Sequence, residues 1–363
     1  MRGALCGALV FEGDAADLDE ASRIVDAGDV ELSPCHSVGG VGAMAGITSP
    51  SMPVCVLESS SGQTTFCALN EGIGKALRFG TTDEQTLKRL RWLRDVAMPV
   101  LDRGVGKTGP VDVTALQQEG LRRGDECHNR NVASSAALLL RLVRGIVAAN
   151  SDTSLLAEVL DWATGNPHFF LPFSMASAKG VALSAQGFDG DPTVTAMAGN
   201  GVEFGIQVSG LGERWFCAPA PLTGVRCFEG YTIADAQAAM GDSFITEVIG
   251  LGAFSLSAAP AIGSFLGTDN STGHAVVEEM RTICRATSTR FNNPFEDFAG
   301  APIAIDVRRV VSSRTAPMVN NGVAHRLAGI GQIGAGLTRL PLEPFEKALA
   351  LLDAGHLGSS TER

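Results

Sequence analysis

Glycine is the residue that most limits what this chain can become. It fills 43 of 363 positions, about 12% against an average near 7%, and follows no fixed period. A collagen-like rod is therefore excluded. So many residues without side chains must serve tight turns, close backbone approaches or loops that cradle a ligand. The runs that stand out lie at 39–46, 72–74, 201–205 and 329–336. A hydrophobic content of 45% is ample for a buried core, and the length predicts two or three packed lobes.

Charge narrows the class further. Only 18% of residues are charged, 39 acidic against 28 basic, for a net of −11. That excludes a disordered tail or coiled coil, and an acidic surface argues against nucleic acid as the main partner. Eight cysteines are scattered without a short-range framework, and the opening residues turn acidic at Glu12 with no cleavage pattern. A reduced, cytoplasmic protein is expected. The uncharged stretch 248–268 is rich in Gly, Ala and Ser and contains Pro260. It predicts a buried helix of small residues and no membrane span.

Periodicity outlines the elements. Residues 15–27 are weakly helical, and strands at 53–58 and 64–69 flank a Ser59-Ser60-Ser61-Gly62 turn. A helix striped by Leu87, Leu90, Leu93 and Val96 is capped by Thr81 or Thr82, and 104–110 reads as a linker. Helices are predicted at 131–149, 154–162, 172–183, 275–287 and 342–353. Strands are predicted at 193–197, 202–208 and 214–217. The class is α+β, with multi-lobed mixed-sheet domains and a helical insertion. The expected division is 1–112 (glycine loop and hairpin), 113–165 (helical) and 166–363 (mixed α+β).

Several motifs tempt and fail. Gly104-Val105-Gly106-Lys107-Thr108 lacks the earlier glycine of a phosphate-binding P-loop, because Leu101 stands there. Gly329-Ile330-Gly331-Gln332-Ile333-Gly334 matches a dinucleotide fingerprint, but Pro341 and Pro344 leave little room for the helix that must follow. No dinucleotide or other cofactor is expected; a glycine loop offering N–H groups to a smaller anion is the better reading. Cys35-His36 and Cys127-His128 have no Cys-x-x-Cys partner, so no metal is expected.

One string carries most weight. Gly124-Asp125-Glu126-Cys127-His128-Asn129-Arg130-Asn131 packs seven polar or reactive side chains into eight positions before an apolar helix. A cap needs one or two of Asp125, Asn129 and Asn131; the whole set suits a site that binds a planar polar substrate and moves a proton. Similar strings surround Asn70-Glu71 with Lys75 and Arg78, His168, Asn200 with Glu203, and Asn320-Asn321-Gly322 leading through His325 to the glycine loop at Gly329.

Together these strings resemble the YlbE/YahG-like family, long filed as a domain of unknown function. The landmarks run in order from Ser33-Pro34-Cys35-His36 and Met44–Pro53 through 69–75, 124–131 and His168-Phe169-Phe170. They continue through Asn200–Gly205, Gly241-Asp242-Ser243, Gly329–Gly336 and Phe345–Leu349. The resemblance implies one subunit of an oxamate carbamoyltransferase in allantoin breakdown, a branch of purine degradation. That enzyme converts oxalurate and phosphate to oxamate and carbamoyl phosphate. It implies a multi-subunit oligomer with an acyl-CoA-synthetase-like partner and a third subunit type. It also implies a region ahead of Met1, lost to a late start, trimmed away or supplied by another chain.

Such chemistry needs two anion sites, donors on the carbamoyl oxygen and an acid for the departing amide nitrogen. His128 is the expected proton-transfer group, oriented by Asp125 or Glu126, with His36 as second choice. Arg130, Arg78, Lys75 and the glycine-loop N–H groups are candidate anion holders, and Asn129, Asn131 and Asn200 suit the ureide edge. Glu203, His168 and His325 complete the expected substrate-binding set. Relatives carry further histidines after His36 and an arginine at Gly199, which leaves the substrate open. The alternatives are a non-catalytic subunit that binds a ureide or partner, and an amide hydrolase.

Overall fold

The computed structural model describes residues 1–42, 44–72, 74–222, 224–262 and 270–359. Two helices open the chain, α1 (Arg2–Glu12) and α2 (Leu18–Ala27), the second begun by Asp17 accepting from Glu20 N. The expected hairpin follows a short β1 (Gly40–Val41). Its strands β2 (Val54–Glu58) and β3 (Thr64–Ala68) pair antiparallel, and β1 adds to β3 in parallel. Ile73, inside the 69–75 string, and Ala43, just before the Met44–Pro53 string, lie outside the described residues.

The next helix, α3 (Glu84–Trp92), runs through a π-helical turn at Leu93–Ala97 into α4 (Met98–Thr108). Neither expected threonine caps it. Asp83 does, because its carboxylate accepts from both the N–H and the hydroxyl of Thr86. Residues 104–108 also depart from expectation, being helical and ending at Gly109. The glycines that suggested a linker serve a close crossing. After α5 (Val113–Arg122), α6 (Val132–Ala149) lies against α4, and Cβ atoms at Gly104 and Gly145 would collide with Ile146 and Thr108. α6 is the one described helix long and apolar enough to cross a membrane. Its Leu138, Leu142 and Ile146 are instead buried in a helical core with Val100, Val159 of α7 (Thr153–Thr164) and Phe170.

At the centre lies α8 (Leu171–Ser184), buried on nearly every side between the β1–β3 sheet and α5. Beyond it, β4 (Val194–Asn200), β5 (Glu203–Val208) and β6 (Phe216–Pro219) form an antiparallel sheet. The short β7 (Val225–Cys227) joins a different sheet, and β8 (Met240–Gly241) completes the first in the order β6-β5-β4-β8.

The stretch expected as one small-residue helix is buried but broken. It divides into α9 (Ile245–Val248) and a 3₁₀ segment, Gly252–Ala258, because Gly250 and Gly252 take left-handed backbone angles. Its residues 263–268 lie outside the described residues. The helix predicted over 275–287 ends at Ile283, where the Thr- and Ser-bearing run becomes β9 (Cys284–Asn293) paired with β10 (Ala299–Ile305). The Asn-rich string before His325 forms β11 (Met318–Ala324), antiparallel to β12 (Gln332–Arg339). Helices make up 47% and strands 20%, in separate small sheets, an α+β fold.

Candidate active site

The 124–131 string is a tight turn between α5 and α6. Gly124 and Cys127 both take positive φ, +93° and +59°, and strain at a non-glycine residue in such a place marks a position held for a reason. Asp125 N donates to Gly120 O, and Cys127 N to Arg130 O. Asn131 stands at the N-cap of α6 without capping it. Asp125 does so from a distance, its Oδ2 accepting from Ser134 N at 2.8 Å and from the Ser134 hydroxyl at 2.9 Å. Ser174 of α8 anchors the other side through a 2.7 Å bond to Cys127 O.

The turn delivers His128 into the interior with Glu126 beneath it. Glu126 Oε2 accepts from His128 N and Oε1 from Arg130 N, so it fixes the backbone and not the ring. The ring partner is Glu247 of α9, whose Oε1 lies 2.9 Å from His128 Nδ1. Glu247 is itself pinned by Thr246 Oγ1, Ala253 N and Asn320 N. Gly252 leaves room for it: a Cβ there would stand 2.2 Å from Glu247 Oε1.

In the neutral ring, a carboxylate on Nδ1 holds the proton there and leaves Nε2 a lone pair; Nε2 has no hydrogen-bond partner among the described residues. Burial disfavours the charged ring, but Glu247 and then Glu126 outweigh it and move the His128 pKa upward. Burial raises Glu126 to about 7, with Glu247 and Asp125 adding to the rise. Burial also raises Asp125. Asn129 Nδ2 donates to Asn320 Oδ1, while Asn320 Nδ2 and Asn131 Oδ1 are buried without partners. Unpaired amide groups beside a histidine are ready to take a ligand.

A second cluster adjoins the first electrostatically. Arg78 donates to Asn70 Oδ1 and Gly72 O, and Glu71 accepts from Leu77 N and Arg78 N. Asn166 ties His168 N to Asn70 O. Burial, Arg78 and His128 together push the His168 pKa down to about 4, and its Nδ1 is buried without a partner. Asn70, Glu71 and Arg78 line a cavity of about 50 Å³ together with Gly42, Cys67 and Met175.

Beside Gly42 stands a third cluster. Asp242 Oδ2 accepts from Gly42 N, while His36 Nε2 lies 3.9 Å from Asp242 Oδ1 and the His36 ring meets Trp215 edge-on. Lys179 of α8 is 1% exposed, one turn from Met175. Burial, helped by Lys179, lowers His36 to about 3; burial raises Asp242 to about 6 and lowers Lys179 to about 8.

Other expected residues lie elsewhere. Lys75 is exposed and paired with Asp83. Arg130 is partly exposed, its Nε donating to Gly124 O and lying 3.5 Å from Asp125 Oδ1. Asn200 Oδ1 accepts from Val202 N and Glu203 N, closing the β4–β5 turn with Glu203 exposed. His325 accepts from Leu327 N and faces Tyr231 and Asp235. Within the 329–336 run, Gly334 and Gly336 belong to β12, which pairs with β11 on one edge and β7 on the other. The run therefore offers a short turn at 329–331 and no longer anion loop. Sequence reasoning missed Glu247, Asn320 and Lys179 as site residues. The signal for Glu247 and Lys179 was a single charge within an apolar or small-residue run, which folds inward only with a purpose.

The fold is that of a protein solved from Enterococcus faecalis V583 and described as a conserved protein of unknown function. The TM-score is 0.95 at 40% identity, covering 97% of this chain and 85% of that one. Fold and buried site together define an α+β protein of that type. The family described as oxamate carbamoyltransferase subunit AllG matches residues 30–243, and the chain belongs to it. It is 44% identical to the Escherichia coli K12 oxamate carbamoyltransferase subunit AllG, over 97% of this chain and 85% of that protein. It is 39% identical to the E. coli uncharacterized protein YahG, over 96% and 74% respectively.

Proposed function

We propose that this chain is a subunit of a cytoplasmic oxamate carbamoyltransferase assembly, with His128 as its proton-transfer group. The reaction is phosphorolysis of oxalurate. A phosphate oxygen bonds to the carbamoyl carbon, the bond from that carbon to the oxamate nitrogen breaks, and the proton of HPO₄²⁻ ends on that nitrogen. Oxamate and carbamoyl phosphate leave. His128 Nε2 takes the proton and hands it on, while Glu247 on Nδ1 stabilises the imidazolium between the two events. Asn129, Asn131 and Asn320 suit the ureide edge, and Arg78 and Arg130 suit anionic groups. The other subunits are an acyl-CoA-synthetase-like chain and a third type.

The observation that carries this reading is the His128–Glu247 pair, buried, oriented and with Nε2 uncommitted. ¹³C-labelled oxalurate followed by NMR with the assembled subunits tests it. Carbamoyl phosphate is expected to form only when phosphate is added. Phosphate-independent breakdown to carbon dioxide and ammonia would make the protein a hydrolase instead.

A further inference from the structure

The third cluster has no part in the proton transfer, yet among the described residues it holds polar atoms left without partners. Lys179 forms no hydrogen bond or ion pair among the described residues, although it is 1% exposed. Both ring nitrogens of His36 are buried without partners. Asp242 uses Oδ2 on Gly42 N and leaves Oδ1 facing His36 beyond hydrogen-bond distance. A buried ammonium and imidazole beside a half-buried carboxylate thus hold polar atoms that no described group satisfies. Without a ligand that arrangement is costly.

The unsatisfied atoms have a definite chemistry. Lys179 offers only donors, Asp242 Oδ1 only an acceptor, and a neutral His36 one of each. One positive and one negative charge cancel, so a dianion meets Asp242 and a cation meets Lys179, each unfavourably. A neutral planar group with C=O on one side and NH₂ on the other satisfies both. We propose that Lys179, Asp242 and His36 form a subsite for a carbamoyl or primary carboxamide group, its oxygen on Lys179 and its NH₂ on Asp242. The position fits, because Gly42, whose N–H Asp242 accepts, and Met175, one turn from Lys179, both line the cavity that Arg78 also lines. Burial agrees as well: His36 at about 3 is neutral at physiological pH, free to accept as well as donate. Assigning the group to the carbamoyl or oxamate end of a substrate rests on the function proposed above; recognition of an amide does not.

Oxamate and pyruvate differ only in NH₂ against CH₃, so calorimetric titration of the full chain with each is a direct test. The wild type should bind oxamate at least about tenfold more tightly than pyruvate, as a site built to hydrogen-bond an N–H rejects the analogue lacking it. In Asp242→Asn the new amide can keep the Gly42 bond but presents NH₂ in place of the acceptor, and the ratio should fall to about one. Lys179→Met, which removes the ammonium and its donors, should weaken both ligands about tenfold or more, and it carries the test alone if Asp242→Asn does not fold. Equal affinities for the two ligands, no oxamate binding, or a preference unchanged in the folded variants would overturn the proposal. An intact preference in a chain whose assembly makes no carbamoyl phosphate would refute the reaction and leave the subsite standing.

Discussion

His128 Nδ1 sits 2.9 Å from Glu247 Oε1 across 119 residues of sequence, in a pocket that exposes almost nothing of either side chain. The turn after α5 supplies one partner and the short α9 the other, so the pair exists only in the folded chain. A carboxylate so placed fixes the tautomer of the ring and steadies its charged form.

Glu247→Gln keeps the shape of the side chain and removes the charge. Carbamoyl phosphate formation should fall at least about tenfold. The His128 pKa, held up mainly by Glu247 against burial, should drop. The limb of the pH–rate profile that reports His128 therefore moves to lower pH, which a merely structural role for Glu247 would not produce.

Glu126 titrates at about 7 in the fold, because burial disfavours its charge. An unfolded glutamate titrates near 4.3. Between those values the native state holds a proton that the unfolded state has released, so this group's contribution to stability falls as pH rises toward 7. His36 and His168, lowered by burial, contribute in the opposite sense over part of that range. The informative quantity is thus a difference. Glu126→Gln should gain on the wild type by about 2–3 kcal/mol between pH 5 and pH 7.5, read from urea midpoints.

Lys179 is lowered by burial to about 8, with Asp242 and Glu213 opposing the shift and His36 alongside. The unfolded lysine titrates near 10.4, so the native state bears the full cost of the buried charge below pH 8 and recovers it as pH rises beyond. Lys179→Met should stabilise the free protein at pH 7 by about 2–3 kcal/mol, and the gain should vanish near pH 10.5. Equal urea midpoints at pH 7 would show that the lysine is satisfied in the native state.

Much of the local structure is legible in the chain. The hairpin, the amphipathic helices and the polar crowding of 124–131 all declare themselves within a dozen residues. What a short window cannot show is which groups meet. Asp125 reads as a candidate orienter of His128, yet it caps α6 by reaching nine residues ahead to Ser134. Glu247 sits alone in Phe244-Ile245-Thr246-Glu247-Val248-Ile249 and acquires meaning only when the 124–131 turn packs against it. Asn320-Asn321-Gly322 carries a turn's composition, but pairing with β12 holds it as a strand. Lys75, an apparent anion holder, is on the surface with Asp83. Local propensity and polar density can be read along the chain; long-range pairing cannot.

The central claim is that His128 moves the proton in carbamoyl transfer. The direct measurement is the initial rate of carbamoyl phosphate release from oxalurate and phosphate by the assembled subunits, wild type against His128→Ala, with matching thermal unfolding curves. The account predicts a loss of about 10²–10⁴-fold in a folded assembly, the usual contribution of a positioned acid–base group. A folded His128→Ala assembly that works at the wild-type rate would contradict it.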